Sequence, residues 1–155
     1  MKGNSISLAA SLVFAYAAGF MGSLFTMPAI EGWYATLTRP ELSPPNWIFG
    51  PVWTTLYTLM AIAAWRVYVA NGRRIGWELI IYGLHLVVNA AWSIVFFGMQ
   101  NPSAAFVVVL MLLALILVTA FLFYRKDTIA GYLFVPYIAW VSFASYLNFM
   151  IMHLN

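Results

Sequence analysis

The side chains able to do chemistry in this sequence are aromatic rings and amides rather than acids, thiols or nucleophile–base pairs. In one apolar run His85, Asn89, Trp92, Ser93 and Phe96 follow an i, i+4, i+7, i+8, i+11 pattern, which lays them along one stripe of a helix. Trp53 and Tyr57, four apart, share a face of another run, and Tyr137, Trp140, Ala144, Leu147 and Asn148 recur at helical spacing after Pro136. Small Ala144 beside Trp140 leaves space. Aromatic walls carrying one or two hydrogen-bonding groups are what a pocket for a flat, largely apolar ligand is made from. The plainer uses are interhelical hydrogen bonding by Asn89 and Ser93 and an aromatic-rich core. An aromatic content of 18% is high for filling alone and favours the pocket.

Other chemistries find little support. Without cysteine there is no disulfide framework, thiolate nucleophile or thiolate metal site. No carboxylate pair, nucleophile triad or metal cluster is visible, so no catalytic residue, metal ligand or required cofactor is assigned. Glu31, Glu41, Glu78 and Asp127 fall in loops or at helix ends, which argues against ion coupling through a mid-membrane acid. Two halves of similar hydropathy, the mark of an inverted-repeat transporter, are also missing. His85 could ligate a haem iron, although a lone membrane histidine is more commonly a hydrogen-bonded core residue.

The elements that must position these groups are membrane helices. The chain is 65% hydrophobic and 7% charged, with a mean hydropathy of +0.91, far from a soluble domain. The formal charge of +3 reflects a few loop cations and no basic patch, so nucleic acid is not an expected partner. Five uncharged runs, 6–27, 47–70, 77–99, 103–124 and 128–153, are each long enough to cross a hydrocarbon core of about 30 Å. Helices satisfy their backbone groups internally. The first run follows Lys2 like a secretory signal, but its length favours a span. The expected fold is an all-α membrane protein: one domain, residues 1–155, forming a bundle of five transmembrane helices.

Between the first two spans lies a longer connection, residues 28–46. Pro40, Pro44 and Pro45 bar a continuous helix there, so this stretch is read as a stiff lid. Trp33, Tyr34 and Trp47 accompany it, either facing a pocket or forming the belt that indoles and phenols make at membrane interfaces. Ala15, Gly19 and Ser23, with Ala18 and Gly22, give the first span a small-xxx-small surface for close packing within the bundle or between subunits. Together with Gly83, Ala90 and Ala91 on the third span, this leads to the expectation of a homodimer. Lys2, Arg73, Arg74, Arg125 and Lys126 lie on one side, with Arg66 near enough to snorkel there, against Arg39 alone on the other. The amino terminus is therefore expected in the cytoplasm and the carboxyl terminus, with the lid, opposite.

Taken in order, "WYATLTRP", "PPNWIFGPVWTTLY", "NAAWSIVFFG" and "LFVPYIAWVSFASYLN" make the whole chain resemble the TspO/MBR family. Its members are the tryptophan-rich sensory proteins and translocator proteins, the mammalian ones once called peripheral-type benzodiazepine receptors. The resemblance implies a five-helix membrane protein, commonly dimeric, that binds porphyrins and haem-like tetrapyrroles, and in some members sterols or isoquinoline and benzodiazepine ligands. It carries family binding positions to Trp33, Tyr34, Trp47, Trp53, Tyr57, Asn89, Trp92, Ser93, Phe96, Trp140, Phe143, Ala144 and Leu147. On this reading porphyrin or haem is a ligand rather than a cofactor, and the prolines shape a lid whose tryptophans face the aromatic cavity. The lack of a long basic carboxyl tail and of a targeting segment points to a bacterial member.

Two departures stand out. Where many members carry a tryptophan in the lid, this chain reads "RPEL" and places Leu42. The sterol-recognition pattern needs a cation after Tyr146, and "YLNFMIMHLN" supplies none, so sterol recognition through that motif is not expected. Two other functions remain open. One is an enzyme degrading bound porphyrin in light, with Trp53 and Trp140 as electron donors; the other is a dimerising structural partner without a ligand.

Overall fold

The computed structural model describes residues 2–155, with side chains from residue 5 onward. Five helices are long and apolar enough to cross a membrane, Ser5–Glu31, Asn46–Ala70, Trp77–Gly98, Pro102–Lys126 and Thr128–Leu154. The chain is an integral multi-pass membrane protein. In chain order the elements are α1 (Lys2–Glu31), α2 (Trp33–Thr36), α3 (Asn46–Ala70), α4 (Trp77–Ser93, prolonged by a π turn over Ile94–Gly98), α5 (Pro102–Lys126), α6 (Thr128–Tyr132) and α7 (Val135–Leu154).

Local chemistry explains where these helices start and stop. Asn101 caps α5 by accepting from the Ala104 N–H at 3.0 Å, with Pro102 at the first helical position where its missing N–H is harmless. Arg125 and Lys126 end that helix, favourably placed against its dipole. Asp127 then caps α6, accepting from Ala130 N–H at 2.8 Å. Between α3 and α4 the turn is made by Gly72 and Arg73, both at positive φ.

The first connection differs from the expected 28–46 loop. Pro28 lies inside α1, which runs on to Glu31, and α2 adds another turn, so only Gly32 and residues 37–45 are non-helical. Within an established helix a late proline removes a single N–H without preventing its neighbours from bonding, whereas the cluster Pro40, Pro44 and Pro45 excludes any helix. At 1.5 Å per residue the 30 residues of α1 extend about 45 Å, longer than a hydrocarbon core of about 30 Å.

α1 packs on α3 and α4, α5 on α4 and α7, and α6 on α3 and α5. The small-residue surface of α1 serves this packing. Ala15 is fully buried; a side chain at Gly19 would meet the ring of Tyr57, and one at Gly22 would meet Ser93. Ser11 Oγ donates to the Ala61 carbonyl at 2.7 Å and Trp65 Nε1 to Ser7 Oγ at 3.2 Å, fixing α1 against α3. The dry core gathers Met60, Ala63, Ala64 and Val67 of α3 with Leu86, Leu112, Ile116, Phe123 and Phe134. Charges collect at this end. Arg66 makes a two-pronged pair with Asp127, at 2.9 and 2.8 Å, and Lys126 pairs with nearly buried Glu78 at 2.7 Å.

Candidate functional site

At the opposite end of the bundle the helices enclose a cavity of about 370 Å³, within the range of small-molecule sites. Four of the five spans wall it, and α5 stays behind them. α1 contributes its glycines and Thr26, α2 contributes Tyr34, and α3 contributes Phe49, Trp53 and Tyr57 from successive turns. α4 adds Asn89, Trp92, Ser93, Phe96 and Phe97, and α7 adds Trp140, Ala144, Leu147, Asn148 and Ile151.

The rings brace one another. Trp53 stacks on Tyr57 at 5.4 Å and 29° and sets its edge against Tyr137. Trp92 stacks on Phe96 at 5.2 Å and 26°, while its Nε1–H donates to Asn148 Oδ1 at 3.0 Å. The Asn148 amide nitrogen donates in turn to the Pro102 carbonyl at 2.7 Å, tying α4, α7 and the start of α5 together. Trp140 touches Phe49 edge-on at 5.9 Å.

At the inner end the buried polar groups form a continuous chain. Tyr57 donates to Asn89 Oδ1 at 2.6 Å, and Asn89 Nδ2 donates to the Tyr137 hydroxyl at 2.8 Å. That hydroxyl lies 3.2 Å from His85 Nε2, whose Nδ1 lies 2.9 Å from the Tyr82 carbonyl. His85 is thus a fully buried core residue with both ring nitrogens engaged.

At the outer end the cavity is bordered by Tyr34 of α2 and by Asn46 and Trp47 at the start of α3. Tyr34 is buried against Phe96 and Phe97, with the Arg39 guanidinium over its ring at 5.3 Å. Burial raises the Tyr34 hydroxyl above its ordinary value, and Arg39 partly offsets this. The Asn155 amide accepts from Thr38 N–H at 2.9 Å and donates to Thr38 C=O at 3.0 Å, latching the non-helical strap to the end of α7. Arg39 also reaches Asn46 Oδ1 at 3.4 Å.

The sequence pattern of the TspO/MBR family matches residues 10–154. A tryptophan-rich protein TspO from Chlorobaculum tepidum is 39% identical over 157 aligned positions that cover 100% of this chain and 99% of the relative. One from Archaeoglobus fulgidus is 40% identical, covering 98% and 99%, and the human translocator protein is 33% identical, covering 85% and 80%. The chain belongs to the TspO/MBR family.

Of the positions expected from the sequence to meet a ligand, Tyr34, Trp47, Trp53, Tyr57, Asn89, Trp92, Ser93, Phe96, Trp140, Ala144 and Leu147 line this one cavity. Two do not. Trp33 packs edge-on against Phe96 at 5.6 Å, and Phe143 faces a groove between α3 and α7 of about 520 Å³, shared with Pro51, Val52, Pro136 and Trp140. A tryptophan lid is therefore only partly present in this TspO/MBR chain: Trp47 borders the mouth but is 73% exposed, and Leu42 points outward at 65%. Tyr34 is the lid ring that is buried. Sequence reasoning missed Phe49, Phe97, Thr26 and the cavity role of Gly19 and Gly22. Phe49 stands four residues before Trp53, a spacing that could have revealed it, whereas Phe97 turns inward through the π turn, which leaves no periodic signal.

Proposed function

We propose that this membrane receptor or translocator-like protein binds porphyrins and related flat tetrapyrroles in the cavity between α1, α3, α4 and α7. The observation that carries this reading is the stack of indole and phenol rings from three helices around a single apolar space with Tyr57 and Asn89 at its inner end. A flat macrocycle stacks on such rings and excludes water, while an amide and a hydroxyl orient one polar edge. The names translocator and sensory protein carried by relatives agree with a receptor that hands on or reports its ligand. Titrating the purified protein with protoporphyrin in the dark tests it: saturable quenching of tryptophan fluorescence is expected, and linear, unsaturable quenching refutes it. Illuminating the complex separates binding from chemistry, since a new absorbing product requires the degrading enzyme and quenching alone does not.

Two further readings complete the proposal. The cation asymmetry favours an amino terminus in the cytoplasm and the lid opposite, and a carboxyl-terminal reporter active only in the cytoplasm refutes that orientation. Because Ala15, Gly19 and Gly22 are occupied inside the bundle, a second copy has Gly83, with open space beside it, and neighbouring Val87 and Ala90 on α4 to pack against. Membrane cross-linking through α4 that yields only monomer refutes this dimer.

A further inference from the structure

None of the side chains that line the cavity is an acid or a base of the Asp, Glu, Lys or Arg kind. A carboxylate enclosed there would lose its water and gain no cation in return, one of the costliest arrangements in an apolar interior. The mouth differs. Tyr34 and Asn46 border it, and Arg39 touches both, with its guanidinium over the Tyr34 ring at 5.3 Å and one nitrogen 3.4 Å from Asn46 Oδ1. Arg39 is exposed, and the ion pairs among the described residues, Arg66–Asp127 and Lys126–Glu78, do not include it. Most of its N–H donors are therefore open to a further acceptor. The other described cations, Arg66, Arg73, Arg74, Arg125 and Lys126, belong to the α3–α4 and α5–α6 end of the bundle. Glu31 and Glu41 lie toward the lid end, are exposed and also stay outside those pairs, so they repel an anion wherever Arg39 does not offset them. Gly50, one turn on from Asn46, lines the cavity and has nothing within 4 Å of where a side chain would begin, which leaves room for substituents of a ligand.

We propose that the cavity takes carboxylate-bearing flat macrocycles one way round, with the acid edge at the mouth and paired with Arg39. This rests on the cavity being the ligand site proposed above. Protoporphyrin carries both of its carboxylates on one edge of the ring, so a single orientation puts both in reach of water and of the guanidinium while the apolar remainder enters between Trp53, Trp92 and Trp140. The opposite orientation strands both acids among uncharged groups. A guanidinium suits this task because its planar fork holds a carboxylate through two parallel hydrogen bonds and stays charged at every working pH. Arg39 thus reads the charge of the ligand, and the rings behind it read its shape.

The test compares protoporphyrin with its dimethyl ester, the same ring with both acids masked, by quenching of tryptophan fluorescence in the full-length protein. Arg39→Gln should weaken binding of the free acid about three- to tenfold, the scale of a partly exposed charged pair, and leave the ester unchanged. Arg39→Lys should restore part of the loss, since it keeps the charge without the fork. Arg74→Gln, at the opposite end, should alter neither ligand. In the parent, raising salt from about 0.1 to 1 M shortens the screening length from about 10 to 3 Å and should weaken the acid relative to the ester. A loss shared equally by acid and ester in Arg39→Gln would mean that Arg39 only holds the strap, and it overturns the proposal. Unchanged acid binding in Arg39→Gln overturns it too, as does an equal loss in Arg74→Gln, and in each case the cavity reading survives. Failure of both ligands to bind the parent overturns the cavity reading as well.

Discussion

Replacing Trp140 by alanine removes the wall between two spaces. Its half-buried indole lines both the cavity and the groove beside Pro51 and Pro136, braced by Phe49 at 5.9 Å and Phe143 at 6.0 Å. A large aromatic side chain offers roughly 150–250 Å² for burial, and about half faces a ligand stacked on one side. At ~25 cal/mol per Å² that contact contributes about 2–3 kcal/mol, or roughly thirty- to over a hundredfold in affinity. The fold should tolerate the change, because the indole borders open space on two sides and lies outside the dry core around Met60 and Phe123. Protoporphyrin titration followed by fluorescence quenching, with circular dichroism for helicity, is the assay. Trp140→Phe should retain most of the affinity, and Ala144→Leu should lower it by narrowing the cavity without removing a contact. Trp77→Ala, at a site 59% exposed at the start of α4, should bind like the parent. Photoproduct lost in Trp53→Phe and Trp140→Phe while affinity persists would assign redox work to the indoles. Parent-like affinity in both Trp140→Ala and Ala144→Leu would refute the cavity as the ligand site.

Three other outcomes are expected. Gly19→Ala places a methyl carbon 2.5 Å from one carbon of the Tyr57 ring and 2.9 Å from another; with that ring held by Asn89, overpacking should lower stability by about 1–3 kcal/mol in a thermal melt and disturb the near-ultraviolet signal of the Trp53–Tyr57 stack. The Arg66 hydrogen bonds hold the Asp127 carboxyl below its ordinary value, so its contribution is present above the unfolded pKa of about 3.9 and is lost as pH falls through the lower folded value. Partial exposure limits the pair to about 1 kcal/mol, and Asp127→Asn should be less stable at neutral pH yet show a shallower acid loss than the parent in melts taken across that window. Asn155→Ala removes both side-chain bonds to Thr38 and should speed porphyrin release about three- to tenfold in stopped-flow mixing, whereas unchanged release would show that the strap is held by Arg39 and Tyr34 alone.

Much of this was legible because a helix maps sequence spacing onto direction. At roughly 100° per residue, Ala144, Leu147, Asn148 and Ile151 all fall within about 80° of Trp140, and all line the cavity. The same arithmetic explains Phe143. It lies about 60° to the other side of Trp140, enough to turn it into the outer groove. The stripe on α4 was readable for the same reason, and Asn89 and His85 proved to be hydrogen-bonded within the bundle while Asn89 also borders the cavity. Trp33 and the strap were not readable in this way. α2 is only four residues long, too short for periodicity, and the latch depends on Asn155 meeting Thr38 across 117 positions of chain. Composition could not reveal whether Ala15, Gly19 and Gly22 served the bundle or a partner, because both uses ask for the same small residues; the positions of Tyr57 and Ser93 decide it.

The cavity itself follows from a gradient of side-chain size along α3. From the lid end inward the rings of α3 that line the cavity include Phe49, Trp53 and Tyr57, and the buried positions beyond them are Met60, Ala61, Ala63, Ala64 and Val67. Small residues let α1, α5 and α6 close on the far half of α3, and the pairs Arg66–Asp127 and Lys126–Glu78 sit at that closed end. Large rings hold the near half apart, and on this half α3 and α7 meet through side chains such as Phe49 with Trp140 and Trp53 with Tyr137. Pro51 and Pro136 line the groove between the two helices; Pro51, inside α3, lacks a backbone donor that would otherwise stiffen that helix, and Pro136 sits in the first turn of α7, where its missing N–H is harmless. A bundle clamped at one end and wedged at the other must enclose space at the wedged end. The rings that hold the helices apart are thus the same rings that a flat ligand would stack upon, so the site needs no element beyond those that build the fold.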